Sequence, residues 1–231
     1  MMPFLALGIY TVHADEDSKV QPAQWSIFAE CRMVVLAQKQ AIQVINQADS
    51  NGAEAWDQVD QLLTSGKAHL IADLVTLQRD GQQAVTDNKA SICTPVEFAP
   101  LRFPKRLPKE QIAEVFRSWP VLGATPTAFE KMEPGETMSL EAVVSKNGQW
   151  ADLLLTARDE RLTGFSNLDY GELPDGTRLG LKYPNLQSLE DHISIRVRNG
   201  EKILFGVHKL SDAEKTFELF LLRLTITHTG G

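Results

Sequence analysis

Sulfur is scarce in this chain: Cys31 and Cys93 are the only two cysteines in 231 residues. With no CxxC pair they supply too few ligands for a structural zinc site or an iron–sulfur cluster. They could join in one disulfide in an oxidising compartment, but each sits in an apolar stretch, where a free Cys acts as a small hydrophobe, and that reading is preferred. Basic charge is also in deficit, 23 Lys and Arg against 30 Asp and Glu for a net charge of -7, and the cations are scattered. That leaves no electrostatic footprint for nucleic acid. The acidic blocks Asp15-Glu16-Asp17 and Glu190-Asp191 are short and read as solvated surface. Past the N-terminus, no apolar run approaches the ~18 to 20 residues of a membrane helix.

What remains is ordinary for a globular protein, 43% apolar and 23% charged. A β-rich chain of this length can form a single domain. The start, Met1 to Ala14, has an apolar run ending in Val12-His13-Ala14 before an acidic segment. It predicts the remnant of a signal peptide, although no Lys or Arg precedes the run; the alternative is an apolar N-terminal strand.

Periodicity gives the elements. Ser26 to Gln38 reads as a strand, with a helix as competitor, and Lys39 to Gln47 as a short helix burying Ala41, Ile42 and Ile45. Trp56, Val59, Leu62 and Leu63 predict a second helix that Gly66 ends. His69 to Leu77 reads as a strand, Arg79-Asp80-Gly81 as a tight turn, and Gln82 to Phe98 as a long returning strand, the pair forming a hairpin. Pro95, Pro100, Pro104, Pro108, Pro120 and Pro126 then exclude a central strand and predict a connector at about 99–127, within which Lys109 to Arg117 could turn helical.

Beyond it the alternation is that of a half-buried sheet: Met138, Leu140, Ala142 and Val144 on one face, Ser139 and Glu141 on the other. Lys146-Asn147-Gly148 predicts a hairpin turn into Gln149 to Ala157. Ile193, Ile195 and Val197 followed by Asn199-Gly200 and Lys202 to Val207 predict a second hairpin. Asn-Gly suits the positive φ angles of a type I′ turn. Phe217 to Thr227 is apolar on both faces and should be covered on both. The fold class is α+β, predominantly antiparallel β with two short N-terminal helices.

Chemistry is sparse. His13, His69, His192, His208 and His228 show no HExxH or His-x-His pairing, and no GxSxG elbow or Gly-rich phosphate loop occurs. Glu190-Asp191-His192 could hold a metal weakly, but reads first as an exposed loop before a strand. Trp25, Trp56, Trp119 and Trp150 could stack on sugars, but Trp56 and Trp150 fall on predicted buried faces. No catalytic, cofactor-binding or metal residue is assigned, and no enzyme activity or cofactor is expected.

The order of these features resembles the secretin domain of bacterial secretion and type IV pilus systems. Gly66-Lys67-Ala68 leads into Leu70 to Leu77, and Asp80-Gly81-Gln82-Gln83-Ala84 is similar to the family's turn between two strands. Phe129-Glu130, Pro134-Gly135, Asn147-Gly148 and Trp150-Ala151-Asp152-Leu153-x-Leu155 follow. Then come Asn199-Gly200-Glu201, Ile203-Leu204-Phe205-Gly206-Val207 and the closing strand Leu219 to Ile226. Val207 stands where the family has a second glycine, and Trp119-Pro120-Val121-Leu122-Gly123 lies in the connector, outside the place of a family-like Pro-rich segment.

The resemblance implies a homo-oligomer at the outer membrane, serving secretion or pilus passage, exported and periplasmic or outer-membrane associated. Self-association or other envelope and secretion proteins are the expected partners, without nucleic acid or a transmembrane helix. With aromatics at 7% and a charged segment from Ala157 to Asp169, neither membrane-type strands nor a ring-building domain before residue 26 is expected. A shortened, divergent relative is expected. Its single domain would span 26–228, after a tail at 15–25. The alternative is a small-molecule or polysaccharide-binding module of the envelope.

Overall fold

β-Branched and apolar residues at alternate positions build ten strands among the described residues, and two helices pack against one of the sheets they form. The computed structural model describes residues 25–48, 51–99, 125–172, 178–211 and 215–229. The segment read as a signal peptide, Asp15-Glu16-Asp17, Trp119 and the Lys109 to Arg117 stretch lie outside them. Chain order is β1 (Trp25–Ala37), α1 (Gln38–Ala48), α2 (Gly52–Thr64), β2 (Ala68–Arg79), β3 (Gln83–Lys89), β4 (Ile92–Ala99) and β5 (Thr125–Met132). β6 (Gly135–Val144), β7 (Trp150–Glu172), β8 (Arg178–Arg198), β9 (Lys202–Ser211) and β10 (Thr216–His228) follow. The predominantly antiparallel β architecture with two short helices is the one expected from the sequence.

Two four-stranded antiparallel sheets, β2-β1-β10-β9 and β3-β6-β7-β8, face each other. Their inner faces interdigitate Ile27, Met33, Leu74, Phe220 and Leu222 from the first sheet with Met138, Leu140, Leu153 and Leu155 from the second. β10 is apolar on both faces because it is covered on both: Phe220, Leu222 and Leu224 enter this core, while Leu219 and Leu221 pack under the helices with Val34, Leu36, Ala41, Val44 and Trp56. On α1, Val44 takes the buried place expected of Ile42, which is 47% exposed. α2 starts on Asn51, whose side chain accepts from Ala53 N, and ends before Gly66 at φ 70°. Such a cap contributes about 1 kcal/mol.

Two expected hairpins are corners between the sheets. β2 pairs with β1 and β3 with β6, so the Asp80-Gly81 turn carries the chain from one sheet to the other. Asp80 N donates to Trp25 O in the first sheet, while Gly81 N donates to Ala142 O and Asp80 Oδ1 accepts from Val144 N in the second. Asn199-Gly200 repeats the device between β8, paired with β7, and β9, paired with β10. The Asn199 side chain accepts from Ile226 N at 2.8 Å and donates to Ile226 O at 2.9 Å, and Gly200 N donates to Leu224 O. A tight turn fixes only that the chain reverses; the captured backbone of a third strand decides which sheet it enters.

Lys146-Asn147-Gly148 does close a hairpin, β6 with β7. In both Asn-Gly pairs glycine alone has positive φ, 67° at Gly148 and 82° at Gly200, so neither turn is type I′. The Asn side chains explain it: Asn147 Oδ1 accepts from Gln149 N and Asn199 binds β10. The expected strand Gln82 to Phe98 breaks at Ala90 and Ser91 into β3 and β4. β4 pairs only with β5, and Ala90 N donates to Pro134 O where the ribbon joins its sheet. Pro95 and Pro126 lie in this two-stranded ribbon, where no central ladder is interrupted.

The charged stretch from Ala157 to Asp169 belongs to a strand. β7 runs for 23 residues and β8 for 21, and beyond the Gly135↔Glu160 pair they continue as a two-stranded ribbon. Twelve further residues of β7 extend it by roughly 40 Å. The ribbon exceeds the ~9 to 11 residues of a membrane-crossing strand in length, while Arg158, Asp159, Glu160 and Arg161 keep β7 charged where the ribbon begins. Among the described residues no helix is long and apolar enough to cross a membrane.

Candidate assembly interface

Among the described residues each sheet ends in two edges that no further strand extends, β2 and β9 in one, β3 and β8 in the other. The Asp80-Gly81 corner sets β2 and β3 on the same flank of the sandwich, and the Asn199-Gly200 corner sets β8 and β9 on the opposite flank. Because every neighbouring pair is antiparallel and each sheet holds an even number of strands, its two edges run in opposite directions. A second copy placed flank to flank would therefore meet β2 with its β9 and β3 with its β8, antiparallel in both sheets at once. Unpaired edge N–H and C=O groups are a template for such addition. β2 in particular is 12 residues long and exposes Val75 at 45% and Leu77 at 72%.

Between the sheets the core changes character along its length. At the corner end it is apolar; toward the ribbon, Asp159 and Arg161 of β7 and Glu218 of β10 replace the hydrophobes. The Asp159 and Glu218 side chains are fully buried, and Arg161 Nη2 pairs with both, tying β7 to β10 across the gap. Burial pushes the Glu218 carboxyl above the usual range, an effect that Arg161 opposes and Glu136 reinforces. A second link crosses beside it, His208 Nε2 of β9 to Asp191 Oδ2 of β8 at 2.7 Å. A cleft of about 320 Å³, lined by Arg161, Gln187, His69 and Ile71 among others, opens at this end.

A third ionic group anchors the helices. Arg32 pairs with Glu30, Asp60 and Asp73, and Arg223 pairs with Glu30. Arg32 lies 4.5 Å over the Trp56 ring, with Arg223 and Lys202 at 5.6 and 5.7 Å. Burial and the Glu30 charge raise the Asp73 carboxyl.

The residues singled out in the sequence separate. Glu190, Asp191 and His192 lie inside β8, not in a loop, and alternation divides them: Asp191 points inward to His208, while His192 Nδ1 meets Thr156 Oγ at 2.7 Å on the open outer face. Among the described residues no group of three or more His, Cys, Asp or Glu could hold a metal ion. Trp56 is buried as expected, at 2% exposure. Trp150 is not: it precedes the inward Ala151 and so faces outward, half-buried beneath Arg198 at 4.5 Å and beside the Asp152–Arg196 pair. Trp25 stacks edge-on against His228. Both cysteines are free, Cys31 buried in the core and Cys93 exposed on β4, contrary to its apolar reading.

Asp159, Arg161, Glu218 and His208 were not singled out by sequence. A usable signal existed, since Asp159 keeps the parity of Ala151, Leu153, Leu155 and Ala157, and Glu218 interrupts an apolar run.

No family model and no curated protein matches the chain. Among solved structures it is similar to ExeD of Aeromonas hydrophila, with 10% identity and a TM-score of 0.44 over 91% of this chain and 50% of that one. It is also similar to the secretin-domain β-barrel of InvG from the Salmonella SPI-1 injectisome, with 12% identity and a TM-score of 0.39 over 90% and 62%. A third is the type II secretin GspD of enteropathogenic Escherichia coli, with 11% identity and a TM-score of 0.37 over 89% and 67%. The chain thus spans 50% of ExeD and 62% of InvG.

Proposed function

We propose that this chain is a non-enzymatic assembly subunit of a bacterial secretion or pilus apparatus, exported and periplasmic or outer-membrane associated, whose copies add to one another flank to flank. The observation that carries this reading is the direction of the four open edges: one placement of a second copy extends both sheets in antiparallel fashion, and the same placement can repeat. Such heterologous addition makes closed rings when its rotation closes. Residues 26–228 act as one domain in this reading, and the β7–β8 ribbon supplies strands long enough for contact with a bilayer. The order of turn and strand motifs along the sequence is consistent with the same role.

The test is the mass of the full purified chain by light scattering, joined to disulfide trapping. Val85 on β3 and His192 on β8 are exposed, lie in one row across the sheet and are separated by two strands within one copy. In a Cys93→Ser background, Val85→Cys with His192→Cys should give a ladder of covalent multimers on oxidation, while either change alone stops at dimers. A monomeric chain that forms no ladder overturns the reading.

A further inference from the structure

Strand addition accounts for the edge backbone of β2 but not for its outward side chains. Glu30, Arg32, Val34 and Leu36 of β1 lie beneath α2 or its ionic anchors. Further along the same face the cover stops, and Val75, Leu77 and Arg79 stand exposed on the edge strand with half-buried Phe28 beside Leu77. Apolar side chains on a long open edge mark an interface.

The other flank holds a complementary feature. The first turns of α2 sit on the edge strand β9: a Cβ at Gly52 would overlap the Lys202 carbonyl, and Lys202 Nζ pairs with Asp57 at 2.8 Å. Ala53 and Glu54 are exposed at this end, where Glu54 Oε1 accepts from Asn51 Nδ2 at 3.0 Å. Height matches as well. Val75, Glu30, Arg223 and Lys202 are successive partners across the sheet and so form one row. A copy added without stagger brings its Lys202 beside Val75, and a stagger of one residue pair moves it to Asp73 or Leu77.

We propose that the Val75–Leu77–Arg79 strip is the docking site for the N-terminal end of α2 of a second copy of this chain, with Ala53 covering the apolar residues and Glu54 meeting Arg79. The inference rests on the flank-to-flank reading and names its side-chain contact. Opposite charge at the rim supports a second copy over an unrelated partner, because acidic Glu54 and basic Arg79 lie at the two ends that strand addition would join.

Light scattering and sedimentation of full-length variants test it. Val75→Asp with Leu77→Asp should turn multimer into monomer at equal concentration while leaving the circular dichroism and melting of the monomer near wild type, since both side chains are exposed. Arg79→Glu should weaken assembly roughly tenfold, and adding Glu54→Lys should restore it, as expected for an opposed charge pair at an interface. Wild-type assembly by the Val75→Asp/Leu77→Asp chain overturns this inference alone, as does a charge reversal that gives no recovery. A wild-type chain that stays monomeric overturns the flank-to-flank reading along with it.

Discussion

Two glycines show how far backbone angle and surroundings can be separated. Gly135 and Gly164 have similar angles, φ 146° and 154°, which L residues rarely adopt. At Gly164 a Cβ would meet open space, whereas at Gly135 it would overlap the Asn88 carbonyl and the Lys89 backbone across the β3–β6 pair. Neither obstacle can rotate away. Gly164→Ala should therefore cost only the conformational strain, about 1 to 3 kcal/mol. Gly135→Ala should cost that strain plus displacement of β3, and urea unfolding of the two variants should separate them in that order. Equal losses would mean that β3 yields freely at this edge.

For whole elements, alternation of period two made the strands legible and an Asn or Asp before Gly made the reversals legible. Partner choice was not, because Asp80-Gly81 and Asn199-Gly200 carry the same local signal as a hairpin, and the strand positions they dock on, Val144 and Ile226, are distant in sequence. Trp150 departs from its expected burial for a related reason: apolar content along QWADLLLTA points the indole inward, whereas parity with the buried Leu153 puts it outside. Trp56 was legible because helical spacing with Val59 and Leu63 fixes its face. It is also the element's anchor, buried against β1 and β10 with three cations around the ring. Trp56→Ala should cost about 3 to 5 kcal/mol. Hydrogen exchange should show α1 and α2 losing protection while the inter-sheet core around Leu140 and Leu222 keeps its own; uniform loss would mean that helices and sandwich unfold as one unit.

The molecule as a whole is closed in two ways, by the paired chain corners at the apolar end and by charge at the ribbon end. There, the buried carboxylates of Asp159 and Glu218 share a single, partly exposed Arg161, so the cluster holds one more carboxylate than it can neutralise at high pH. Glu218 answers by holding its proton more tightly than the ordinary value of 4.5. The native state then binds more protons than the unfolded one in the window above 4.5, so this group's contribution to stability falls as pH rises through that window and is greatest at its acid end. Its charged neighbours in the gap are Asp159 and Arg161 on β7 and Glu136 on β6, with the Asp191–His208 pair of β8 and β9 beside them. Glu218→Gln keeps the shape and a hydrogen-bonding group while leaving Arg161 matched one to one with Asp159. It should raise stability at neutral pH, or leave it unchanged, and flatten the dependence between pH 4.5 and 7 in urea titrations. A variant destabilised at neutral pH with its pH slope intact would show that Glu218 is ionised in the native protein and that the second charge strengthens the link between the sheets.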